Sequence, residues 1–308
     1  MGGDGDPTKR GVVSTANYEA RRFGIGSAMP LRTAFKRCPE AVFLPVDADA
    51  YHAASDRVMH VLRSFEVVVE VAGWDEAFMA VDAGDDPEPL AREVQTRVLE
   101  RTGLWCSIGA GDNKLRAKLA SGFAKPRGIF TLTRETWREV MFALPVEALW
   151  GVGAKTARKL EAQGIRTIED LATADDLVLS SSFGPNTGPW LRRLAEGESS
   201  STVSDAPRVA KSISRERTFQ RDLTDPEEIR REVARLAAEL ADDVATDGRP
   251  AVRIVVKVRV VPFVTRTHGV TLPAPAGDAA SITAGAIAAL DRFDLDRPVR
   301  LVGVRSEF

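Results

Sequence analysis

Asp75 and Glu76 follow Trp74 between two strand-like runs, residues 66–72 and 77–82, so they read as the tip of a β-hairpin. Adjacent carboxylates on a regular strand point to opposite faces. At a turn they can converge, and convergent carboxylates are what Mg²⁺ requires: hard oxygens, with positions left open for substrate phosphates. A solvated acidic turn has the same sequence. A second group is Ser14-Thr-Ala-Asn-Tyr-Glu-Ala-Arg21, which opens a helix running to Phe23 and stopping at Gly24. Ser14 or Thr15 can cap that helix, and its first N–H groups form a natural phosphate site. Tyr18 and Arg21 are three residues apart and share a face with that end. A hydroxyl, a phenol and a guanidinium gathered there suit a polyphosphate, although an ordinary capped amphipathic helix has the same spacing.

Two further stretches carry cations. Gly109-Ala-Gly-Asp-Asn-Lys114 is followed by Lys118 and by Lys125-Pro-Arg-Gly128, without the spacing of a Walker A loop. Between Trp105 and Arg166 eleven Lys and Arg face five Asp and Glu, a local excess of positive charge in a chain of net charge −2. That asymmetry points to an anionic partner or to a solvated basic helix face. The last group is Leu149-Trp-Gly-Val-Gly-Ala-Lys-Thr-Ala-Arg-Lys-Leu160. Gly151 and Gly153 between two short helices let backbone N–H groups approach a phosphate closely. Lys155, Arg158 and Lys159 lie alongside as counterions. The pattern looks like a helix-hairpin-helix, which grips a nucleic-acid backbone irrespective of sequence.

The elements that must position these residues fit a multidomain α+β chain. At 308 residues, two or more domains are expected. Forty-four per cent hydrophobic and 28% charged residues exclude the disordered and collagen-like classes. Cys38 and Cys106 have no metal-ligand spacing, which excludes a disulfide framework and a zinc site and fits a reducing cytosol. No apolar h-region or membrane span is present, so a cytoplasmic protein is expected. Residues 196–207 are polar, small and poor in apolar side chains, and read as a linker. Before it, helical patterns at 47–64, 86–102 and 112–123 surround the hairpin and a short strand at 104–109, which suggests a mixed or antiparallel sheet layer. Residues 144–196 show short helices only. After the linker, a strand at 209–219, a helix at 226–244, strands at 252–260 and 263–272, a helix at 279–290 and a strand at 299–304 give the order β-α-β-β-α-β.

Taken in order, these pieces resemble a Y-family translesion DNA polymerase of the DNA polymerase IV type. The resemblance spans essentially the whole chain. It rests on Ser14-Thr-Ala-Asn-Tyr-Glu-Ala-Arg-Arg-Phe-Gly24, Gly26-Ser-Ala-Met-Pro30, Trp74-Asp-Glu-Ala-Phe78, Asn113-Lys-x-x-Ala-Lys118, Ala124-Lys-Pro-x-Gly128 and the Gly151-Val-Gly153 hairpin. It implies a right-hand-like fold: fingers and palm in 1–143 (fingers about 11–50), a helical thumb in 144–196, a linker at 197–207 and a little finger in 208–308. It implies that Asp75 and Glu76 are catalytic carboxylates holding two Mg²⁺ ions. Thr15, Tyr18, Arg21 and Lys125 bind the incoming triphosphate. Lys118, Gly151, Gly153, Lys155, Arg158, Lys159, Ser212, Arg215, Arg217 and Arg266 contact DNA. The implied partners of this expected monomer are primer–template DNA, deoxynucleoside triphosphates and a replication sliding clamp, although no apolar-Gln docking tail is seen before Phe308.

The departures bear on function. The family pattern opens with a strand carrying another metal-binding Asp, closely followed by a large residue that excludes a ribose 2′-hydroxyl. The chain starts beyond both, and Asp4 and Asp6 do not stand in for that Asp. Gly73 occupies the position of the usual Ser. Two functions are therefore carried forward: a low-fidelity, template-directed DNA polymerase acting on damaged DNA, and a catalytically inactive DNA-binding adaptor. The retained triphosphate-site residues favour the first; the absent Asp favours the second.

Overall fold

The computed structural model describes residues 3–82 and 84–308. It divides into two units: the residues up to Val46 together with Arg208–Phe308, and Asp47–Pro207. The division after Pro207 coincides with the end of the segment read as a linker, while residues 3–46 group with the C-terminal part of the chain.

In the first unit, strands Ser212–Leu223, Val299–Glu307, Ala251–Val260 and Val264–Ala276 lie side by side in that order, each neighbouring pair antiparallel. Helices Pro226–Asp247 and Ala279–Leu290 cover one face, in the expected β-α-β-β-α-β order. Local chemistry fixes the helix ends. Asp225 caps the first through the Glu227 N–H, with Pro226 in its first turn, and Gly248 ends it at φ 79°. Asp278 caps the second through the Ser281 N–H. Strand alternation sends Ile254, Val256 and Val258 into a core with Val233, Leu236, Leu240, Ile282, Val302 and Val304. Arg253, Lys257 and Arg259 therefore belong to the face away from the helices.

The N-terminal stretch of this unit has little regular structure. The Val13 N–H donates to the Met29 carbonyl and the Ala28 N–H to the Val13 carbonyl, both at 2.8 Å. Two short helices, Tyr18–Arg22 and Leu31–Arg37, pack over Val13, Ile25, Leu31, Ala34 and Cys38. Arg10 ties the stretch to the sheet. Its guanidinium donates to both carboxylate oxygens of Asp222, at 2.6 and 3.1 Å, and its backbone exchanges hydrogen bonds with the Gln220 side chain.

The second unit holds the hairpin, strands Val69–Gly73 and Glu76–Met79, and a parallel pair, Ile108–Ala110 with Ile129–Thr131. Among the described residues these are two separate two-stranded sheets, where the sequence pattern suggested one layer. Helices Ala48–Arg63, Pro87–Thr102 and Lys114–Phe123 match the expected helical runs. Gly109 and Gly111 explain their own spacing. A Cβ at Gly109 would lie 2.1 Å from the Ala117 carbonyl oxygen, and one at Gly111 would lie 2.6 Å from the Ala117 nitrogen. The glycines let the strand cross helix Lys114–Phe123 at backbone contact, and phosphate binding is not needed to account for them. Beyond residue 144 come short helices only, Ala154–Glu161, Ile168–Ala172, Asp176–Phe183 and Thr187–Ala195, around Leu149, Leu160, Ile168, Leu171 and Leu191.

The segment read as a linker has neither helix nor strand, but it is tied down at three points. The buried Asn113 side chain donates to the Gly197 carbonyl at 2.8 Å, the Lys114 N–H to the Ser200 carbonyl at 3.1 Å, and the Ser204 N–H to Glu70 at 2.8 Å. Among the described residues no helix is long and apolar enough to cross a membrane.

Candidate active site and nucleic-acid interface

The hairpin register pairs Val71 with Ala77 and Gly73 with Glu76, leaving Trp74 and Asp75 as the two-residue turn. Glu76 is therefore the first residue of the second strand, not part of the tip as the sequence suggested, and the first strand begins at Val69 instead of residue 66. Asp75 and Glu76 are both exposed. The Trp74 ring rests on the His52 ring of helix Ala48–Arg63, with centroids 4.2 Å apart, which steadies the turn. Glu76 is bonded to the Lys118 ammonium, so one helical turn of Lys114–Phe123 faces the carboxylate pair. Four residues earlier on that helix, Lys114 donates to both carboxylate oxygens of Glu70, at 2.6 and 2.5 Å, and lies over the Phe78 ring. That ammonium, helped by the Ser204 N–H, holds the Glu70 carboxyl below its ordinary range. Among the described residues no group of three or more His, Cys, Asp or Glu is gathered for a metal ion. Asp75 and Glu76 are hard oxygen donors that fit an ion completed by water and phosphate oxygens, the usual manner of Mg²⁺ binding.

Lys125 is exposed on a loop that its neighbours fix. The Gly128 N–H donates to the Ala124 carbonyl at 2.7 Å, the Arg127 N–H to Ser107 Oγ at 2.9 Å, and Gln95 bridges the Cys106 and Arg127 carbonyls, each at 2.9 Å. In the first unit, helix Tyr18–Arg22 is capped by Asn17, whose side chain accepts from the Ala20 N–H at 3.0 Å; Ser14 and Thr15 are not the cap. The reason is upstream, where pairing with Met29 keeps the chain extended through Val13. Tyr18 and Arg21 do come together, the guanidinium 5.8 Å from the ring centroid, with Arg21 Nε held on the Ala16 carbonyl at 2.9 Å. Thr15 is exposed just before them.

At the helix-hairpin-helix, Gly151 takes φ 104° and Gly153 starts helix Ala154–Glu161 without a side-chain cap. Lys155 and Arg158 are exposed. Lys159 is used within the unit, on the Ser182 carbonyl and over the Phe183 ring.

In the sheet, Arg215 and Arg217 share parity with the apolar Ile213 and Phe219 and face the helices. Arg215 forms two hydrogen bonds with Asp243, at 2.6 and 2.7 Å, and Arg217 pairs with Glu232 at 3.5 Å. Arg266, opposite Val258, has the same parity, and Ser212 lies opposite Glu307. The face away from the helices carries Arg253, Lys257, Arg259 and Arg305, which the sequence reading passed over, with Thr265 and Thr267 of the strand that the resemblance marks as tracking a template backbone. Period-two alternation with Ile254, Val256 and Val258 was the signal that could have found them. Lys257 pairs with Glu216 at 2.6 Å, Arg253 with Glu307 at 3.0 Å, and Arg259 donates to Thr265 Oγ1 at 2.8 Å.

Residues 3–122 match the impB/mucB/samB family, residues 210–307 that family's C-terminal domain, and residues 148–184 the fingers domain of DNA polymerase lambda. The chain is 49% identical over 310 residues to a protein named DNA polymerase IV 2 from Mycobacterium tuberculosis, covering 100% of this chain and 89% of that one. It is 38% identical over 299 residues to a DNA polymerase IV from Methanoculleus marisnigri, covering 96% and 82%. Among solved structures, a Y-family DNA polymerase chimera, Dbh-Dpo4(243-245)-Dbh, aligns over 97% of this chain and 88% of its own, with a TM-score of 0.83 and 27% identity. An insertion ternary complex of Dbh DNA polymerase aligns over 97% and 87%, with a TM-score of 0.63 and 26% identity. With the Asp-Glu hairpin, the glycine hairpin and the split β-α-β-β-α-β sheet all in this order, the chain belongs to the DNA polymerase IV branch of the Y family, the translesion DNA polymerases.

Proposed function

We propose that this chain adds deoxynucleotides to a primer 3′-hydroxyl opposite template bases, damaged ones included, with Asp75 and Glu76 as the carboxylates it offers to two Mg²⁺ ions. The ions supply Lewis acidity at the primer oxygen and the triphosphate. The chain's own residues do the positioning. Asp75 projects from the turn that Trp74 and His52 steady, and Glu76, now paired with Lys118, would be the second carboxylate to hold an ion. Thr15, Tyr18 and Arg21 take the triphosphate, and Lys125 is likewise a cation offered to a phosphate. Such cations steady negative charge, which is most of what phosphoryl transfer asks of a protein. Residues 11–50 serve as fingers, 144–196 as thumb and 208–308 as little finger. Gly151, Gly153, Lys155 and Arg158 hold one backbone strand, and the sheet face bearing Arg253, Lys257, Arg259 and Arg305 follows the duplex through its phosphates, without reading sequence.

The observation that carries this reading is the hairpin that places Asp75 in its turn and Glu76 at the start of the next strand, paired with Lys118 of a basic helix. The test pairs single-nucleotide addition to a primer–template in Mg²⁺ with Ca²⁺-supported binding of the templated triphosphate. Asp75→Ala removes both activities and leaves primer–template affinity unchanged. A protein that holds primer–template yet shows no preference for the templated triphosphate is an adaptor, and that result overturns the proposal.

A further inference from the structure

Beside the glycine hairpin, within the second unit, lies a cleft of 760 Å³ walled by two indoles, Trp150 and Trp190, with Gly151, Arg193 and Glu198 among the other residues that line it. Trp150 is 50% exposed and Trp190 41%. Trp190 lies over Gly151, where an added Cβ would come within 3.2 Å of the ring, so the glycine leaves the cleft open toward the hairpin. Neither ring stacks on another aromatic ring, neither indole N–H has a hydrogen-bond partner, and the exposed Arg193 guanidinium has no ion pair or hydrogen bond among the described residues. Two half-exposed tryptophans in one cleft are an unusual use of the largest apolar side chain.

We propose that this cleft holds an unpaired nucleobase of the DNA strand whose phosphates lie on the Gly151–Gly153 hairpin. The proposal rests on the reading that the hairpin grips a DNA backbone. The chemistry matches a base on each count. The indole faces stack on any planar heterocycle irrespective of its identity. Two indole N–H groups and a guanidinium offer donors to ring nitrogens and carbonyl oxygens, and the Glu198 carboxylate accepts from an exocyclic amine. The cleft adjoins the glycine hairpin, since Gly151 belongs to both, so a base next to a phosphate seated there is the part of the strand nearest the indoles. A polymerase with this feature holds an extruded or unpaired nucleotide on the thumb side while the duplex is gripped by its backbone.

The experiment compares a short oligo-dA with an abasic oligonucleotide of equal length and charge, read by tryptophan quenching and by competition against a labelled blunt duplex. The wild type binds oligo-dA at least about fivefold more tightly than the abasic strand, the smallest effect expected for one stacked base. Trp150→Ala brings that ratio close to one, Trp150→Phe retains most of it, and both leave blunt-duplex affinity and thermal melting unchanged. Equal binding of the two oligonucleotides by the wild type overturns the cleft assignment while duplex binding leaves the hairpin reading standing. A ratio that survives both Trp150→Ala and Trp190→Ala places the stacking elsewhere and also overturns it. If Lys155→Glu with Arg158→Glu leaves duplex binding at low salt intact, the hairpin reading itself fails and the cleft proposal falls with it.

Discussion

The two faces of the four-stranded sheet make opposite predictions for their arginines. Arg215 and Arg217 are paired with Asp243 and Glu232 of the covering helix, whereas Lys257 and Arg259 stand on the opposite face, the one proposed to meet DNA. Each phosphate contact contributes about 0.9 to the slope of log affinity against log salt through counterion release. Lys257→Ala with Arg259→Ala should therefore flatten that slope by about 1.8. Between about 50 and 200 mM salt, a fourfold change, the double variant then loses about twelvefold less affinity than the wild type loses. Lys257 must leave Glu216 to reach a phosphate. An exposed pair of this kind is worth about 0–1 kcal/mol, less than the roughly 1.5–3 kcal/mol of a charged hydrogen bond, so the exchange is favourable. Arg215→Ala with Arg217→Ala should leave the slope as it is and lower the melting temperature, because Asp243 loses its partner, while Glu232 keeps Arg235. The assay is fluorescence anisotropy of labelled primer–template across a salt series, with thermal melting alongside. A slope that flattens in the Arg215/Arg217 variant and not in the Lys257/Arg259 variant refutes the argument and assigns DNA to the other face.

Two further changes probe the frame. Gly109→Val puts a Cβ into the backbone of helix Lys114–Phe123, where no side chain can give way, and should cost more than about 3 kcal/mol in denaturant unfolding; wild-type stability in that variant would show that the strand and helix can separate. Asp170→Ala removes the capping box in which Asp170 accepts from the Arg166 and Thr167 N–H groups at 3.0 and 2.9 Å, and should cost about 1 kcal/mol. Those N–H groups hold the Asp170 carboxyl below its ordinary range. Its contribution is thus complete above the unfolded carboxylate value and lost as pH falls through the folded one. The gap between wild type and variant in melting experiments should close only on acidification through that range; a gap independent of pH would contradict the capping account.

How far the sequence reading reached depended on element length. The C-terminal β-α-β-β-α-β order was legible because its strands run nine to thirteen residues and its helices open on Asp225 and Asp278. Strands Ile108–Ala110 and Ile129–Thr131 are three residues each, too short to establish a period of two, and what holds them is backbone-close packing on helix Lys114–Phe123, which lies between them in the chain. The helix cap shows the same limit on a smaller scale. Ser14, Thr15 and Asn17 are all competent caps, and only the pairing of Val13 with Met29 decides that the helix waits for Asn17.

For the candidate site, residue type was more legible than direction. Asp75 and Glu76 stand out in sequence, but register alone determines that Asp75 belongs to the turn and Glu76 to the strand that meets Lys118. Arg215 and Arg217 could have been sorted by parity, since Ile213 and Phe219 on the same side are apolar; the acids that neutralise them, Asp243 and Glu232, lie 28 and 15 residues away by sequence number and come within reach only once the helix folds back. A basic side chain in a strand therefore says that charge is present, and the partner on the next layer decides whether that charge remains for a phosphate. The same reasoning separates Lys155 and Arg158 from Lys159. All three lie within one helical turn and a half, but only Lys159 reaches back to the Ser182 carbonyl, so on the proposed reading the cationic edge available to a phosphate backbone is two residues wide, not three.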